Sequence, residues 1–189
     1  SNQPYGQRMA LRVIDALDAD LEASSILPLL HSTDPDLRQE TRQMASRRKE
    51  WKPAMIQGFR ELSLVANSKQ LNLQLIESLI LSYAQEDDFQ SALLEMMSSA
   101  GQRPEFKEHL LNSIAFLEDL PETLEACVLL GLKEDAPGVR SASLKLAARF
   151  EMPSTILRFI SQLEAREGLS KKDKVDALKV LFKHHDRPP

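Results

Sequence analysis

A repeat of about 33 to 34 residues is the feature that most constrains this chain. Apolar segments with helical spacing begin near Asp36, Gln70, Pro104, Pro137 and Ser170. Each follows another helical segment, so each is predicted to be the second helix of a pair. Pairs repeated at this spacing bury their apolar faces against the neighbouring pair. The sequence therefore predicts an all-α fold, an α-α superhelix (solenoid) of about five helical hairpins with one additional N-terminal helix.

Short turns divide the predicted helices into pairs. We predict a single domain over residues 1–189, with an N-terminal capping helix over residues 5–18. The helical pairs are predicted at residues 21–49, 53–84, 87–118, 121–150 and 153–184. Apolar residues of the capping helix that are available for burial are Met9, Leu11, Val13, Ile14 and Leu17.

The predicted helix starts contain the residues that helix starts favour. Proline lacks an N–H and is tolerated in the first turn, where that group has no partner. Prolines in such positions are Pro35, Pro53, Pro104, Pro121, Pro137 and Pro153. Asp34, Asp135 and Ser170 precede their helices, so their side chains are predicted to accept hydrogen bonds from free backbone amides.

The second helices align with one another through a repeated set of apolar positions. Its members, in chain order, are Leu75, Ile76, Leu79, then Leu110, Leu111, Ile114, then Ser143, Leu144, Ala147, and finally Leu178 and Leu181. One hairpin alone cannot cover such an apolar surface. We therefore predict that these positions are buried between neighbouring hairpins.

Two turns carry a more specific pattern. One reads Thr33-Asp34-Pro35-Asp36-Leu37-Arg38, and the other reads Glu134-Asp135-Ala136-Pro137-Gly138-Val139-Arg140. They resemble the turn of the HEAT repeat, which typically reads Asp-x-x-Pro-x-Val-Arg or a close variant. The resemblance covers nearly the whole chain by spacing, but the turn motif occurs in two units only. It implies structural turn roles for Asp34, Pro35, Asp135 and Pro137, and polar ladders between adjacent turns that include Arg38 and Arg140.

Catalytic and metal-binding motifs are not found in the sequence. It contains no HExxH motif, no glycine-rich phosphate loop and no Gly-x-Ser-x-Gly elbow. His31, His109, His184 and His185 do not have the spacing of a structural zinc site, and the tail histidines are predicted to be solvated. Cys127 lies in an apolar run, which favours a buried packing role over a nucleophile. We predict a non-enzyme that has no cofactor and no metal.

Charge, apolar run length and cysteine content bear on nucleic-acid binding, membrane insertion and cellular location. The chain has 24 Lys and Arg against 28 Asp and Glu, a net charge of −4, which disfavours a dedicated nucleic-acid binder. No apolar stretch reaches the length of a membrane span, so no membrane insertion is expected. A single cysteine cannot form an internal disulfide, which is compatible with the cytoplasmic location that we predict.

Basic residues concentrate on the predicted second helices. The HEAT resemblance implies that these helices line a concave surface. Candidate partner-binding residues are Arg38 and Arg42 near one end, and Arg140, Lys145, Arg149 and Lys179 near the other. We predict a scaffold or adaptor that binds a protein with an acidic or mixed-charge surface.

Three alternatives stay open. The charges are ordinary solvated helix faces in the first. In the second, the chain acts on DNA, as do HEAT-like glycosylases that remove alkylated bases; Trp51 beside Arg47, Arg48, Lys49 and Lys52 would then contact DNA. In the third, the chain is a structural segment of a larger protein with an apolar terminal face, which is consistent with a start at Ser1-Asn2 rather than Met.

Overall fold

The computed structural model describes residues 3–17, 21–30, 32–64, 73–165 and 169–185. These residues form eleven α-helices and one turn of 3-10 helix, with no β-strand among them. The predicted all-α class is thus confirmed. Apolar residues with helical spacing, few glycines and prolines placed mostly at helix starts account for these elements; Pro28, inside a helix, is an exception.

The helices follow the predicted pairs. Their bounds are α1 Gln3–Ala16, α2 Ala23–Leu30, α3 Pro35–Arg47, α4 Lys52–Leu64, α5 Leu73–Tyr83, α6 Asp87–Ser98, α7 Pro104–Ile114, α8 Glu122–Lys133, α9 Pro137–Arg149, α10 Ser154–Glu164 and α11 Lys171–His185. The 3-10 turn is Lys49–Trp51. Most ends differ from the prediction by amounts within the usual scatter of helix ends. The predicted end of the capping helix at residue 18 and the predicted helix start near Gln70 lie outside the described residues.

The chain divides into two compact units, Ser1–Phe89 and Gln90–Pro189. The boundary falls inside α6. In the first unit, α2 packs against α3, α4 packs against α5, and both α1 and α5 contact α3. The Phe59 and Phe89 rings lie in its core with centroids 4.9 Å apart, and Tyr83 contacts Phe89.

The second unit repeats this pattern of contacts. There α8 pairs with α9 and α10 with α11, while α9 also packs against both α7 and α11. Gly131 of α8 permits a close approach to α9. A Cβ added at Gly131 would lie 2.1 Å from Ser143 Oγ and 2.9 Å from Leu111 Cδ1.

Two of the three predicted caps are present. Asp34 Oδ1 accepts a hydrogen bond from the Leu37 amide at 2.9 Å, and Ser170 Oγ accepts one from the Asp173 amide at 3.0 Å. The prediction that Asp135 caps α9 is wrong, because Ala136 occupies that position and makes no side-chain cap bond. The turn has one more residue between its aspartate and its proline than the Asp34-Pro35 turn, which moves Asp135 out of the capping position.

The aligned apolar positions are buried in α5, α7 and α9, as predicted, but not in α11. Leu144 and Ala147 are fully buried, whereas Leu178 is 38% exposed and Leu181 is half-buried. In α1, Leu11 is buried, but Met9 and Val13 are exposed, as is Leu17 directly after the helix, contrary to the prediction. Among the described residues, α1 and α11 are each covered by neighbouring helices on one side. The opposite side of each helix keeps apolar surface in solvent.

Candidate functional site

Arg140, a predicted partner-binding residue, is engaged within the chain. Its Nη2 donates to the Asp135 carbonyl oxygen at 3.0 Å, and its Nε lies 3.7 Å from Asp173 Oδ2 of α11. The Asp173 residue is only 3% exposed. This ion pair joins α9 to α11, so the geometry gives Arg140 a structural role and leaves it poorly placed to contact a partner.

Removing Asp173 tests this role. We expect Asp173→Ala to lower the free energy of unfolding by roughly 1.5 kcal/mol, because it leaves a largely buried guanidinium without its carboxylate. The loss stays below that of a fully buried pair because Arg140 keeps its bond to the Asp135 carbonyl. Asp176→Ala on the same helix is the control. Among the described residues Asp176 pairs with the exposed Lys179 alone, so this substitution should cost at most about 0.5 kcal/mol. Equal urea midpoints for the two variants would contradict the structural role of Asp173.

The other turn arginine also bonds locally. Arg38 Nη1 donates to the Ser32 carbonyl oxygen at 2.6 Å, within its own turn. Arg38 and Arg140 thus each bond to the backbone of the turn before their helix. The predicted ladder between adjacent turns is therefore limited, in these two turns, to the Arg140–Asp173 contact. Arg42 is half-buried and makes no ion pair or hydrogen bond among the described residues.

Links between neighbouring second helices occur instead at their C-terminal ends. Tyr83 Oη donates to the Ala45 carbonyl at 3.0 Å, Arg149 Nη2 to the Leu117 carbonyl at 3.1 Å, and Lys183 Nζ to the Ala148 carbonyl at 2.6 Å. Tyr83 and Lys183 donate to carbonyls in the last turns of α3 and α9, where a helix supplies fewer amide partners, whereas Arg149 donates to a carbonyl that follows α7. Sequence reasoning missed these links, although Arg149 and Lys183 lie one repeat apart.

Four exposed cations of the second unit form what we call the basic edge: Lys145 and Arg149 of α9, and Lys179 and Lys183 of α11. In each helix the two cations are four residues apart, so they lie on one side. Lys179 Nζ lies 3.2 Å from Asp176, and the Arg149 guanidinium lies 5.4 Å from the centre of the Phe150 ring. Lys145 makes no ion pair among the described residues. The edge therefore brings together three of the six predicted partner-binding residues, and Lys183 joins them.

Beside the basic edge, α11 presents an apolar stripe that the sequence reasoning missed. We define the apolar stripe as Val175, Leu178 and Phe182, which are 51%, 38% and 68% exposed. Their spacing places them on one side of the helix, opposite the buried Ala177 and Val180. The repeat pattern had assigned Leu178 to the core.

The cleft between α1 and α3 in the first unit is strongly charged. Its volume is about 170 Å³, and its lining includes Arg12, Glu40 and Arg47. Arg12 pairs with Glu40, whose hydrogen bond raises the pKa of the Arg12 guanidinium, and Arg47 pairs with Asp15 at 2.6 Å. These charges neutralise one another, so the cleft has little net attraction for a charged ligand.

The remaining candidate residues have packing roles or no supporting partners. Burial raises the pKa of the Cys127 thiol to about 12, so Cys127 is a neutral core residue, as predicted. Trp51 is 3% exposed and its Nε1 donates to the Leu21 carbonyl at 2.8 Å, so in this position its ring cannot stack on a base. His184 is half-buried rather than solvated, whereas His31 and the His185 side chain lie outside the described residues. Within the described ranges, no three His, Cys, Asp or Glu residues cluster in a way that would hold a metal.

Two further findings concern membrane-spanning helices and similarity to known proteins. Among the described residues, no helix combines the length and apolar character that crossing a bilayer requires. No family model, curated protein or solved structure matches the chain.

Proposed function

We propose that this chain is a non-catalytic protein-binding scaffold built from HEAT-like helical hairpins. The proposal is supported by the period of the sequence, by the two HEAT-like turns and by the packing of second helix on second helix within each unit. A HEAT-like superhelix would place its second helices along one extended surface. On that surface the basic edge receives an acidic segment of a partner protein.

The basic edge is the observation that carries this proposal. The chain as a whole is acidic, with a net charge of −4, yet the basic edge places four exposed cations on two adjacent helices. Only Lys179 of the four has a carboxylate within ion-pair distance among the described residues. Exposed cations that are not neutralised attract acidic partners and accelerate their association, more strongly at low salt.

A binding assay with a defined acidic peptide tests the proposal. Fluorescently labelled oligoglutamate is titrated with the purified chain, and anisotropy gives the Kd at two salt concentrations. We expect Lys145→Glu/Arg149→Glu to weaken binding by about tenfold or more, because two attractive contacts become repulsive. Lys133→Glu/Arg158→Glu introduces the same change in charge at exposed positions outside the edge, and it should weaken binding by no more than about threefold.

Three other outcomes would contradict the proposal. Equal weakening by both double variants would mean that net charge, and not the edge, attracts the peptide. Tighter binding of an equally long DNA strand, lost with the edge variant, would favour the DNA-acting alternative. No binding of either probe by a folded chain would favour a structural segment of a larger protein. The exposed Tyr5, Met9 and Val13 on α1, and Leu17 directly after it, support that last alternative.

A further inference from the structure

We propose that the apolar stripe of α11 binds an amphipathic helix with acidic flanks, supplied by a partner protein. The inference extends the proposed scaffold function, on which it rests, to a second surface and to one kind of occupant. It depends on three observations: the way in which α9 is covered, the spacing of the stripe, and the charges beside it.

The corresponding side of α9 is covered by a helix. Arg140, Leu144 and Ala147 lie on one side of α9, and Arg140 faces Asp173 of α11. Leu144 and Ala147 are fully buried. One repeat later, 34 residues along the chain, the equivalent positions are Lys174, Leu178 and Leu181. A helix is therefore the element that fits the side of α11 formed by Lys174, Leu178 and Leu181, which borders the apolar stripe and shares Leu178 with it.

The spacing of the apolar stripe also fits a helix. Val175, Leu178 and Phe182 occupy the a, d and a positions of a heptad, the narrow seam along which two helices pack. In that register Lys172 and Lys179 stand at e positions, Lys174 at a g position, and Lys171, the first residue of α11, at the d position where the apolar seam ends. Residues at e and g form the ion pairs that determine which helix is accepted.

Charge selects an acidic occupant. Of the two acids of α11, Asp173 is buried against Arg140 and Asp176 pairs with Lys179 at 3.2 Å, so Lys172 and Lys174 are the lysines beside the stripe that neither acid offsets. One repeat earlier, the position of Lys174 is held by Arg140, whose partner is an acid in the first turn of α11. A second copy that paired through the same stripe would bring lysines against lysines, which disfavours self-association there.

The test uses three synthetic peptides of about 20 residues, long enough to form a helix on binding. The first has leucine at a and d with glutamate at e and g, the second is a shuffled peptide of the same composition, and the third has lysine at e and g. Binding to the complete chain is followed by anisotropy and by helical circular dichroism. We expect the first peptide to bind at least about tenfold more tightly than either of the others.

Variants in the apolar stripe and beside it then locate the binding site. Val175→Ser/Phe182→Ser should weaken binding of the first peptide by about tenfold or more, because the seam is lost. Lys174→Glu should weaken the first peptide and strengthen the lysine-flanked one, a charge reversal that a purely apolar contact would not produce. Circular dichroism of each free variant confirms that the fold is retained.

Several results would overturn the inference. These are equal binding of the first and the shuffled peptide, a Val175→Ser/Phe182→Ser variant that binds like the native chain, and dimerisation of the native chain that this variant abolishes. Binding to phosphatidylserine vesicles, lost in the same variant and without peptide binding, would assign the stripe to a membrane surface instead.

The inference and the proposed function can fail separately. If the shuffled peptide binds the native chain but not Lys145→Glu/Arg149→Glu, and the first peptide binds no better, the scaffold proposal stands and the inference fails. If the first peptide binds the stripe but oligoglutamate does not bind the edge, the basic edge is not the partner surface.

Discussion

Phe59→Ala should lower the free energy of unfolding by about 3–5 kcal/mol, the largest effect that we expect from a single change in this chain. Phe59 is fully buried, and its ring lies 4.9 Å from the centre of the equally buried Phe89 ring. Truncation removes the apolar contact area of an aromatic side chain and leaves a cavity that α4 and its neighbours cannot fully close. Urea denaturation followed by circular dichroism measures the loss.

Phe116→Ala provides the matched control. It makes the same chemical change, but Phe116 is 61% exposed, so its truncation should change the stability by no more than about 0.5 kcal/mol. A Phe59→Ala variant as stable as Phe116→Ala would show that the ring of Phe59 is not packed in the core of its unit.

Gly131→Ala should cost about 2 kcal/mol, although alanine favours a helix over glycine by up to about 1 kcal/mol. The added methyl group would lie 2.1 Å from Ser143 Oγ and 2.9 Å from Leu111 Cδ1, and both neighbours are fully buried. The Ser143 hydroxyl, which donates to the Val139 carbonyl at 3.0 Å, and the Leu111 side chain must therefore move within the core, or the helices must shift. Thermal and urea unfolding of the variant would measure the effect.

A comparison of two glycines separates this close approach from a general effect of glycine replacement. A Cβ at Gly138 would also lie 2.1 Å from an atom, but that atom is the carboxylate oxygen of the half-buried Glu108, which can rotate away. Gly138→Ala should therefore stay within about 0.5 kcal/mol of the native chain. Adding Ser143→Ala to Gly131→Ala removes the nearest clash and should restore part of the loss. If it restores nothing, the Ser143 hydroxyl is not the obstacle.

The order and positions of the helices could be predicted from the sequence because their signals are local. Apolar spacing, first-turn prolines and the caps Asp34 and Ser170 each act within a few residues. The failure at Asp135 has the same origin, since one additional residue before Pro137 changes which residue occupies the cap. Local patterns predict where a helix starts, but the capping residue is predicted correctly only when its exact distance from the first helical residue is taken into account.

Burial on α1 and α11 could not be predicted in the same way. The repeat pattern assigns Leu178 the environment of Leu144, but burial depends on whether another helix covers that side. The pattern also indicated that Arg140, a cation on a second helix, was available to bind a partner protein. Its partner, Asp173, is distant in sequence and is brought near by the packing of α9 on α11. Lys145 needed no such contact to be recognised as exposed.

Cys127 gives this chain an internal reporter of its own fluctuations. The chain has one thiol, which is fully buried in α8 and whose pKa is raised to about 12. An alkylating reagent reacts with the thiolate, so modification requires an opening that brings α8 into water. The rate of alkylation under native conditions therefore measures how often this part of the second unit opens, without any added probe.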